Sequence, residues 1–574
     1  MSGHAHTTVC VAPAGALSDR PRLFGALAAA FPVRFEAWTP GRTDAAGLVV
    51  IGPPGALPAT DEFPETLPTL AIAGSSAALA APRRFALRDV AGVDRRVRGL
   101  TLTDRFAAAG GELAGAAGDE DVLATSDSQR VWTVSHRPAP LHRLLSSLPE
   151  LGSDEVLYAL LSKRQLTAVA LVQFMREVTA ARGWEPAPLR AAFLFDDPNL
   201  RWRSYGYIDY EQLARDADEH GYHAAMAMIP LDAGRPHMPT VDLFRRRRDR
   251  LSLIVHGNDH TKGELLATGD DGAAQTVAAQ AVRRIQRFER RAGLAVDRVM
   301  APPHGLCSQP MTRALGAMGF DALTAIHPLP WTETPPADPV LAGWRAADFV
   351  AGCPVVPRIP LGSSEADIGL RAFLDHPLIV YGHHEDVAGG LEALAGAAAI
   401  VNRLGDVSWM SIGEIVTSNV ERRRTGHQLA VRPHSRRVIV PIEPEVSELV
   451  VPTPEDSVDH AALRGFVVRD VAHPSTPARA AAFGESVRLI PGVRRRLEIT
   501  LHGTADTEPG LVPPPAWRPW PKLRRVATEI RDRAVARTGG AARSAPGPGS
   551  AADPDTIDDP DTATTEQESQ RWAA

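Results

Sequence analysis

A chain of 574 residues is too long for one ordinary domain, so it predicts two or three domains with tails. Its formal net charge of -6 leaves no overall basic field, which argues against nucleic acid as a partner. The three cysteines are odd in number and far apart, which argues against a disulfide framework and favours a reducing compartment. We therefore expect a cytoplasmic protein.

Residues 1–95 carry short apolar runs that end at turns. One run, 48–51, ends at the turn 52–55, and helical stretches separate it from its neighbours. This alternation predicts a small, doubly wound α/β domain, similar in outline to flavodoxin or class I amidotransferase domains. The run 69–73 is not followed by a nucleophilic cysteine, so we expect a structural or regulatory role. Residues 96–185 are predicted to connect this domain to the next one.

Residues 186–422 show the most regular pattern of the chain. Apolar runs alternate there with helical stretches, and the runs lie at 191–195, 223–229, 251–255, 298–300, 322–326, 355–359, 378–381 and 407–410. Seven or eight βα units in a stretch of this length predict a closed or nearly closed parallel barrel. The predicted fold class is therefore α/β, with a distorted (β/α)7-8 barrel as the central domain.

The remaining segments differ from the barrel in composition. Residues 423–505 contain short apolar runs between turns rich in Pro, Glu and Asp, which predicts a small β-sandwich. Residues 506–574 are predicted to hold a basic amphipathic helix and a disordered tail. In the stretch 517–537, Leu523 and Ile530 fall on one apolar face with arginines around it. Such a helix is typical of peripheral contact with an anionic membrane or of docking on its own protein, and both stay open.

Polar residues that can bind a metal or move a proton follow successive strands of the predicted barrel. They are Asp196 and Asp197, His256 and His260, the segment 302–305 with His304, His327, and the segment 383–386 with His383. Because the carboxyl ends of parallel barrel strands meet at one mouth, these side chains are expected to converge. Two histidines and a carboxylate are the minimum for an open, hydrolytic metal site.

The order of these segments resembles a known family. The stretches 194–198, 256–260, 301–305 and 379–383 are similar to the ordered motifs of the polysaccharide deacetylases, carbohydrate esterase family four. The resemblance implies a divalent metal, most often Zn2+, with Co2+ or Ni2+ as alternatives. It also implies roles for single residues: Asp196 as general base, Asp197, His256 and His260 as metal ligands, and His383, or its neighbour His384, as general acid.

Three departures from the family pattern identify a divergent member. Pro198 follows the Asp pair where the family has glycine, and Gly257 replaces a serine or threonine of the second motif. Ala301 stands where the family has an arginine that orients the base. Groups that hold a metal ligand or a catalytic base in position tune metal affinity and activity by roughly 10–100-fold. Arg201, Arg203 and Arg358 are the candidates to replace the missing guanidinium.

Other residues near the motifs are assigned by type and position. Trp202 and Tyr205 are candidates for stacking on a sugar ring, with core packing as an equal alternative. His304 is assigned to substrate binding. Asp259 is expected either to orient a ligand histidine or to cap a helix.

Three functions follow from this set of residues. The first is a metal-dependent deacetylase that hydrolyses the N-acetyl or O-acetyl group of a sugar or glycan precursor, so a carbohydrate is the expected partner. The second is a catalytically silent barrel that binds carbohydrate or assists assembly in a polysaccharide pathway. The third is a metal-dependent hydrolase of a non-sugar amide. An iron(II) oxygenase, which also uses two histidines and a carboxylate, is disfavoured by the α/β surroundings.

Overall fold

The computed structural model describes residues 7–31, 33–74, 82–104, 113, 120–136, 138–152, 157–180, 184–261, 263–266, 270–326, 346–452, 463–503, 506–516 and 519–539. His327 and Trp517 lie outside the described residues, as does the predicted tail from 540 onward. No described helix is both long enough and apolar enough to cross a bilayer.

The N-terminal domain is built on one mixed, nine-stranded sheet. Its strands are β1 (Thr7–Ala12), β2 (Val33–Ala37), β3 (Gly47–Pro54), β4 (Thr69–Gly74), β5 (Arg83–Leu87), β6 (Thr101–Asp104), β7 (Glu120–Ser126), β8 (Gln129–His136) and β9 (Pro140–Leu144). They lie in the order β2-β1-β3-β4-β9-β8-β7-β5-β6. The pairings from β2 to β9 are parallel, and those from β9 to β6 are antiparallel.

This sheet corrects the prediction that residues 96–185 only connect two domains. Strands β6 to β9 come from that stretch, and β9 pairs directly with β4 of the parallel half. The tight β7–β8 turn places Asp127 and Ser128 at positive φ, 46° and 70°, so two strands follow one another without a helix. Among the described residues of this domain, the helices are α1 (Ala14–Ser18), α2 (Pro21–Ala30), α3 (Leu157–Ser162) and α4 (Gln165–Thr179).

Residues 190–417 form the predicted barrel. The strands are β10 (Arg190–Asp196), the small hairpin β11 (Ser204–Tyr205) and β12 (Ile208–Asp209), β13 (Ala224–Met228), β14 (Leu251–His256), β15 (Val299–Ala301), β16 (Ala322–Ala325), β17 (Asp348–Val350), β18 (Cys353–Pro360), β19 (Leu378–Gly382) and β20 (Ser408–Trp409). Seven parallel strands close in the order β10-β13-β14-β15-β16-β18-β19 and back to β10. The predicted barrel is therefore confirmed.

The pairing of β10 explains why the predicted number of barrel strands was seven or eight. The first residues of β10, Arg190 and Ala191, pair with β20, whereas Phe193 to Asp196 pair with β13. The eighth strand thus occupies only the start of β10, and seven strands continue to the mouth. This distortion leaves the end of β10 bonded to β13 and β19.

Helices cover the outside of the barrel. They are α5 (Tyr210–His220), α6 (Met238–Arg246), α7 (Asp271–Ala292), α8 (Gln309–Ala317), α9 (Glu365–Phe373), α10 (Glu392–Arg403) and α11 (Ile412–Thr417). Asp209 caps α5 by accepting the backbone N–H groups of Glu211 and Gln212. Gly221 and Gly293 end α5 and α7 at φ 70° and 58°, a left-handed conformation that glycine adopts without strain.

A β-sandwich and a long helix complete the described chain. The strands are β21 (Val420–Thr425), β22 (Gln428–Pro433), β23 (Arg437–Ile442), β24 (Glu448–Val450), β25 (Leu463–Asp470), β26 (Arg479–Ala482), β27 (Ser486–Arg488) and β28 (Arg495–Gly503), followed by α12 (Trp520–Gly539). Two four-stranded sheets, β21-β22-β24-β27 and β23-β28-β25-β26, pack around one apolar core. The helix α12 returns to the barrel mouth.

Candidate metal centre

Strand β10 delivers two neighbouring carboxylates to one place. Consecutive strand residues point to opposite faces, so Asp196 and Asp197 would normally diverge. Asp197 instead has a φ of 78°, which ends the strand at Asp196 and reverses the direction of the next side chain. Oδ1 of Asp196 lies 4.0 Å from Nδ1 of His256, and Oδ1 of Asp197 lies 3.7 Å from its Nε2. Both carboxylates therefore border the same imidazole.

The loop after β14 positions the two histidines. Its backbone N–H groups at Asn258, Asp259 and His260 donate to the half-buried Glu264 carboxylate at 2.8, 2.8 and 3.0 Å. Gly257 has a φ of 57°, and a Cβ there would collide with Glu264 and Pro303. The serine or threonine of the family motif cannot fit this loop, so the replacement by glycine is a packing requirement.

Three ligand atoms converge on one point. Asp197 Oδ1 lies 3.2 Å from His260 Nε2 and 3.7 Å from His256 Nε2. A tetrahedral zinc site with bonds of 2.0–2.1 Å has ligand separations of about 3.3 Å. His256 Nδ1 makes a 2.9 Å hydrogen bond with the carbonyl of Ala301, which leaves Nε2 for a metal. The buried Asp197 Oδ1 has no hydrogen-bond partner among the described residues. These residues fit a divalent cation, and they are the three that the family resemblance implies.

The charges at the centre also suit a cation. Burial alone raises the pKa of Asp197, but His260, His256 and Arg525 outweigh it and hold that pKa well below its usual range. Burial lowers the pKa of His256, and it lowers the pKa of His260 to about 3. At neutral pH the carboxylate is therefore ionised and both imidazoles are neutral, the state that metal binding requires.

Arg358 takes the place of the missing motif arginine. Its Nη1 donates to both carboxylate oxygens of Asp196, at 2.9 Å each, and both residues are buried. The guanidinium also lies over the ring of Tyr381, 4.2 Å from its centroid. Arg358 belongs to β18, which is separated from β10 by one strand, β19, and it lies 162 positions from Asp196 in the chain, so the sequence offered it only as one candidate among three.

The two other candidate arginines serve different partners. Arg203 is exposed and pairs with Asp209 at 3.1 Å. Arg201 pairs with Asp232 at 3.3 Å and with Glu529 at 2.8 Å. In this structure, Arg358 is the candidate that contacts the proposed base.

The histidines after β19 occupy different environments. His383 is exposed at the mouth, and its charge contributes to the lowered pKa of Asp197. His384 is buried, and its ring lies 5.4 Å from that of Tyr205 and 5.8 Å from that of Tyr207. Its Nε2 is 3.0 Å from Glu385. Of the two, only His383 is accessible from solvent at the mouth.

The proposed substrate-binding residues also differ in exposure: Tyr205 is buried, whereas Trp202 and His304 are exposed. Tyr205 is only 4% exposed and packs on His384, so the alternative of core packing fits its position. Trp202 is half exposed, but its Nε1–H donates to Glu529 at 2.9 Å and Arg533 lies 4.0 Å over its ring. His304 is exposed on the rim, with its ring 5.1 Å from that of His260.

Asp259 performs neither of the two expected roles. Its carboxylate receives the guanidinium of Arg284, which also donates to the Asn258 carbonyl at 3.1 Å. The cap of α7 is provided by Asp270. Asp259 therefore ties the histidine loop to α7 instead of orienting a ligand.

The sequence did not reveal that α12 lies against the centre. Arg525 is buried, donates to Asp232 at 2.9 and 3.1 Å, and lies 4.0 Å from Asp197 Oδ1. Arg524 Nη2 lies 3.3 Å from His260 Nδ1. Only the basic character of the helix signalled a binding role, and no local pattern placed it at the barrel.

Several solved structures are similar to this chain. The carbohydrate deacetylase Agd3 has 10% identity and a TM-score of 0.43, over 87% of this chain and 99% of that one. A family 4 carbohydrate esterase from Streptomyces lividans has 14% identity and a TM-score of 0.25, over 39% and 94%. A CE4 family pseudoenzyme from Bacillus anthracis has 11% identity and a TM-score of 0.27, over 41% and 67%. Two of the three bear the name of the family that the motifs resemble.

No family model matches the sequence, and no curated protein matches it. At these identities and TM-scores, activity does not transfer from the solved structures to this chain.

Proposed function

We propose that this protein is a metal-dependent deacetylase that removes an N-acetyl or O-acetyl group from a sugar or glycan precursor. The observation that carries the proposal is the convergence of Asp197 Oδ1 with the two imidazoles, beside a second carboxylate that is fixed by Arg358. Asp197, His256 and His260 would hold the metal. Zn2+ fits this donor set, and Co2+ or Ni2+ are alternatives.

When bound in such a site, a divalent metal supplies Lewis-acid polarisation and lowers the pKa of water. The chain's own residues account for the proton transfers. Asp196 is positioned as the general base, and the contact with Arg358 keeps its carboxylate oriented within reach of the centre. His383, exposed after the neighbouring strand β19, would protonate the departing amine or alcohol. His304 on the rim would contact the sugar.

The first test is metal analysis of the purified protein beside His256→Ala. We expect about one Zn2+, Co2+ or Ni2+ per chain in the wild type and a large loss in the variant. If neither protein carries stoichiometric metal, a metal-dependent activity is excluded.

The second test is acetate release from chitooligosaccharides and nucleotide-activated N-acetyl sugars. Asp196→Asn should lose most of the activity with its metal retained, because Asp196 is a base and not a ligand. Activity equal to that of the wild type would remove Asp196 from this role.

The catalytically silent barrel is the second candidate, and α12 is the observation that favours it. The guanidinium of Arg524 lies 3.3 Å from Nδ1 of His260, and that of Arg525 lies 4.0 Å from Oδ1 of Asp197. In a catalytically silent protein, α12 would stay permanently on the centre. Metal-loaded protein that binds an acetylated sugar without releasing acetate would support this candidate.

A further inference from the structure

The outer face of α12 carries a cluster of exposed apolar side chains. Of the ten large apolar side chains that are strongly exposed among the described residues, four lie on this helix: Trp520, Leu523, Val526 and Ile530. Their exposed fractions are 68%, 61%, 42% and 64%. Spacings of three, three and four residues place them on one stripe of an α-helix. We call these four residues the α12 stripe.

The helix is oriented opposite to a usual surface helix. Its polar face is turned inward, where Arg525 and Glu529 are buried against Asp232, Arg201 and Trp202. A helix that only needed to cover the barrel would bury its apolar side, because burial of apolar area drives packing. Here charged contacts hold the helix and leave the apolar side outside, so the α12 stripe is available to a partner.

The charges beside the stripe indicate what kind of partner fits. Lys522 and Arg531 are exposed on the same helix. Among the helix side chains that the structure describes, the one carboxylate, Glu529, is turned inward. An apolar stripe flanked by cations is complementary to a lipid surface with anionic headgroups.

A second copy of the chain fits less well. Packing stripe against stripe would bring the Lys522 and Arg531 cations of two copies together. Four side chains are also far fewer than the about 20–30 residues per partner of a standard interface. We propose that the α12 stripe docks on an anionic lipid surface, with Trp520, Leu523, Val526 and Ile530 inserted at the headgroup level. Because the inner face of α12 lies on the metal centre, docking would set the barrel mouth toward the lipid.

The experiment is sedimentation of the full-length protein with vesicles. One set contains phosphatidylcholine alone, and the other contains phosphatidylcholine mixed with anionic phosphatidylglycerol. We expect binding to the mixed vesicles, weakened by added salt. Ile530→Glu should lower the partition coefficient by about tenfold or more, because an inserted side chain is replaced by a charge. Equal binding to both vesicle types, or binding to neither, would overturn the assignment.

A matched control comes from the β-sandwich. Ile490 is 66% exposed, close to the 64% of Ile530, so Ile490→Glu makes the same change at an equally exposed site. It should bind the mixed vesicles as the wild type does, and equal losses in both variants would contradict docking through α12. Sedimentation velocity without vesicles tests whether the α12 stripe instead binds a second copy of the chain. If the wild type is a dimer and Ile530→Glu is a monomer, the partner of the stripe is a second copy and not a lipid surface. Neither outcome depends on deacetylase activity.

Discussion

Asp196 is held by a guanidinium that comes from a strand elsewhere in the barrel. The two residues are 162 positions apart in the chain, and both are buried. The three candidate metal ligands, in contrast, lie in two short segments whose spacing the sequence shows directly. Their convergence was therefore predictable, whereas the choice of Arg358 over Arg201 and Arg203 needed the closure of the barrel.

Replacing Arg358 by lysine tests this positioning role. Lysine keeps the charge but loses the planar guanidinium that lies over Tyr381 and directs Nη1 to both oxygens of Asp196, so kcat should fall by about 10–100-fold. Metal content should stay at the wild-type level, because Arg358 does not contact the three ligands. Steady-state kinetics and metal analysis measure both effects. A rise in KM with unchanged kcat would contradict positioning of the base.

Gly257 is a second position where one added atom should disturb the candidate metal site. Gly257→Ala would place a Cβ against Glu264 and Pro303 in the loop that carries His260. We expect zinc affinity, measured by competition with a chelator, to fall by about tenfold or more.

Gly263→Ala is the control for backbone strain alone. Gly263 has a φ of 62°, close to the 57° of Gly257, but its Cβ would meet nothing within 4 Å. It should cost about 1–2 kcal/mol of stability and leave zinc affinity nearly unchanged. Equal losses of zinc affinity in the two variants would mean that φ, and not the collision, controls the loop.

At the level of elements, α12 is held to the barrel by a polar network. Glu529 accepts from Arg201 at 2.8 Å, from Trp202 at 2.9 Å and from Arg533 at 3.0 Å. Glu529→Ala removes all three contacts, two of which join the helix to Arg201 and Trp202 of the barrel, so the helix should open more often. Transfer of zinc to a chelator should then be about tenfold faster than in the wild type.

Lys522→Ala is the companion variant on the same helix. Lys522 is exposed, and its replacement should leave the rate of zinc transfer unchanged. If Glu529→Ala also leaves that rate unchanged, α12 does not restrict access to the centre.

Asp297, which accepts a hydrogen bond from the start of α11, should make the stability of the protein depend on pH. Burial raises the pKa of Asp297 to about 6, although the carboxylate accepts the backbone N–H of Gly413 at 2.9 Å. The unfolded value is about 3.9, so the folded state binds the proton more tightly and stability falls as pH rises from about 4 through about 6.

Asp297→Asn removes this loss and keeps an oxygen to accept from Gly413. Its unfolding free energy should exceed that of the wild type by about 1–2 kcal/mol above pH 7, less than full burial would give because the residue is partly exposed. The difference should shrink toward about pH 4, as thermal unfolding at several pH values would show. A difference independent of pH would contradict the raised pKa.

The elements that the sequence predicted well are those with a helix between strands. The alternation of strands and helices predicted the barrel. Gly221 and Gly293 predicted the ends of two helices, and the structure ends α5 and α7 at these residues. That strands β6 to β9 join the N-terminal sheet was not predicted, because β7, β8 and β9 follow one another as hairpins, which lack that alternation. The inward turn of the charged face of α12 was also not predictable, since it depends on Asp232 and Arg201, which are far away in the chain.

Across the whole molecule, the N-terminal domain and the barrel share one apolar core. Leu370, Phe373 and Leu374 belong to the barrel helix α9 and its end, yet they lie in the same cluster as the side chains of α4. Arg176 reinforces the junction: its guanidinium lies 4.7 Å over the ring of Phe373, and it pairs with Asp375 at 2.6 Å. The N-terminal domain therefore supports the barrel from outside the site.

Phe373→Ala tests whether the two domains unfold together. Phe373 is fully buried, so truncation should cost about 3–5 kcal/mol. Because its ring belongs to a shared core, amide hydrogen exchange should accelerate in β4 of the N-terminal sheet as well as in β19 of the barrel. Phe466→Ala, an equally buried truncation in the separate core of the sandwich, should leave exchange in β4 unchanged. Acceleration confined to the barrel in Phe373→Ala would show that the N-terminal domain keeps its own stability, and the shared cluster would then be a contact between two independent units.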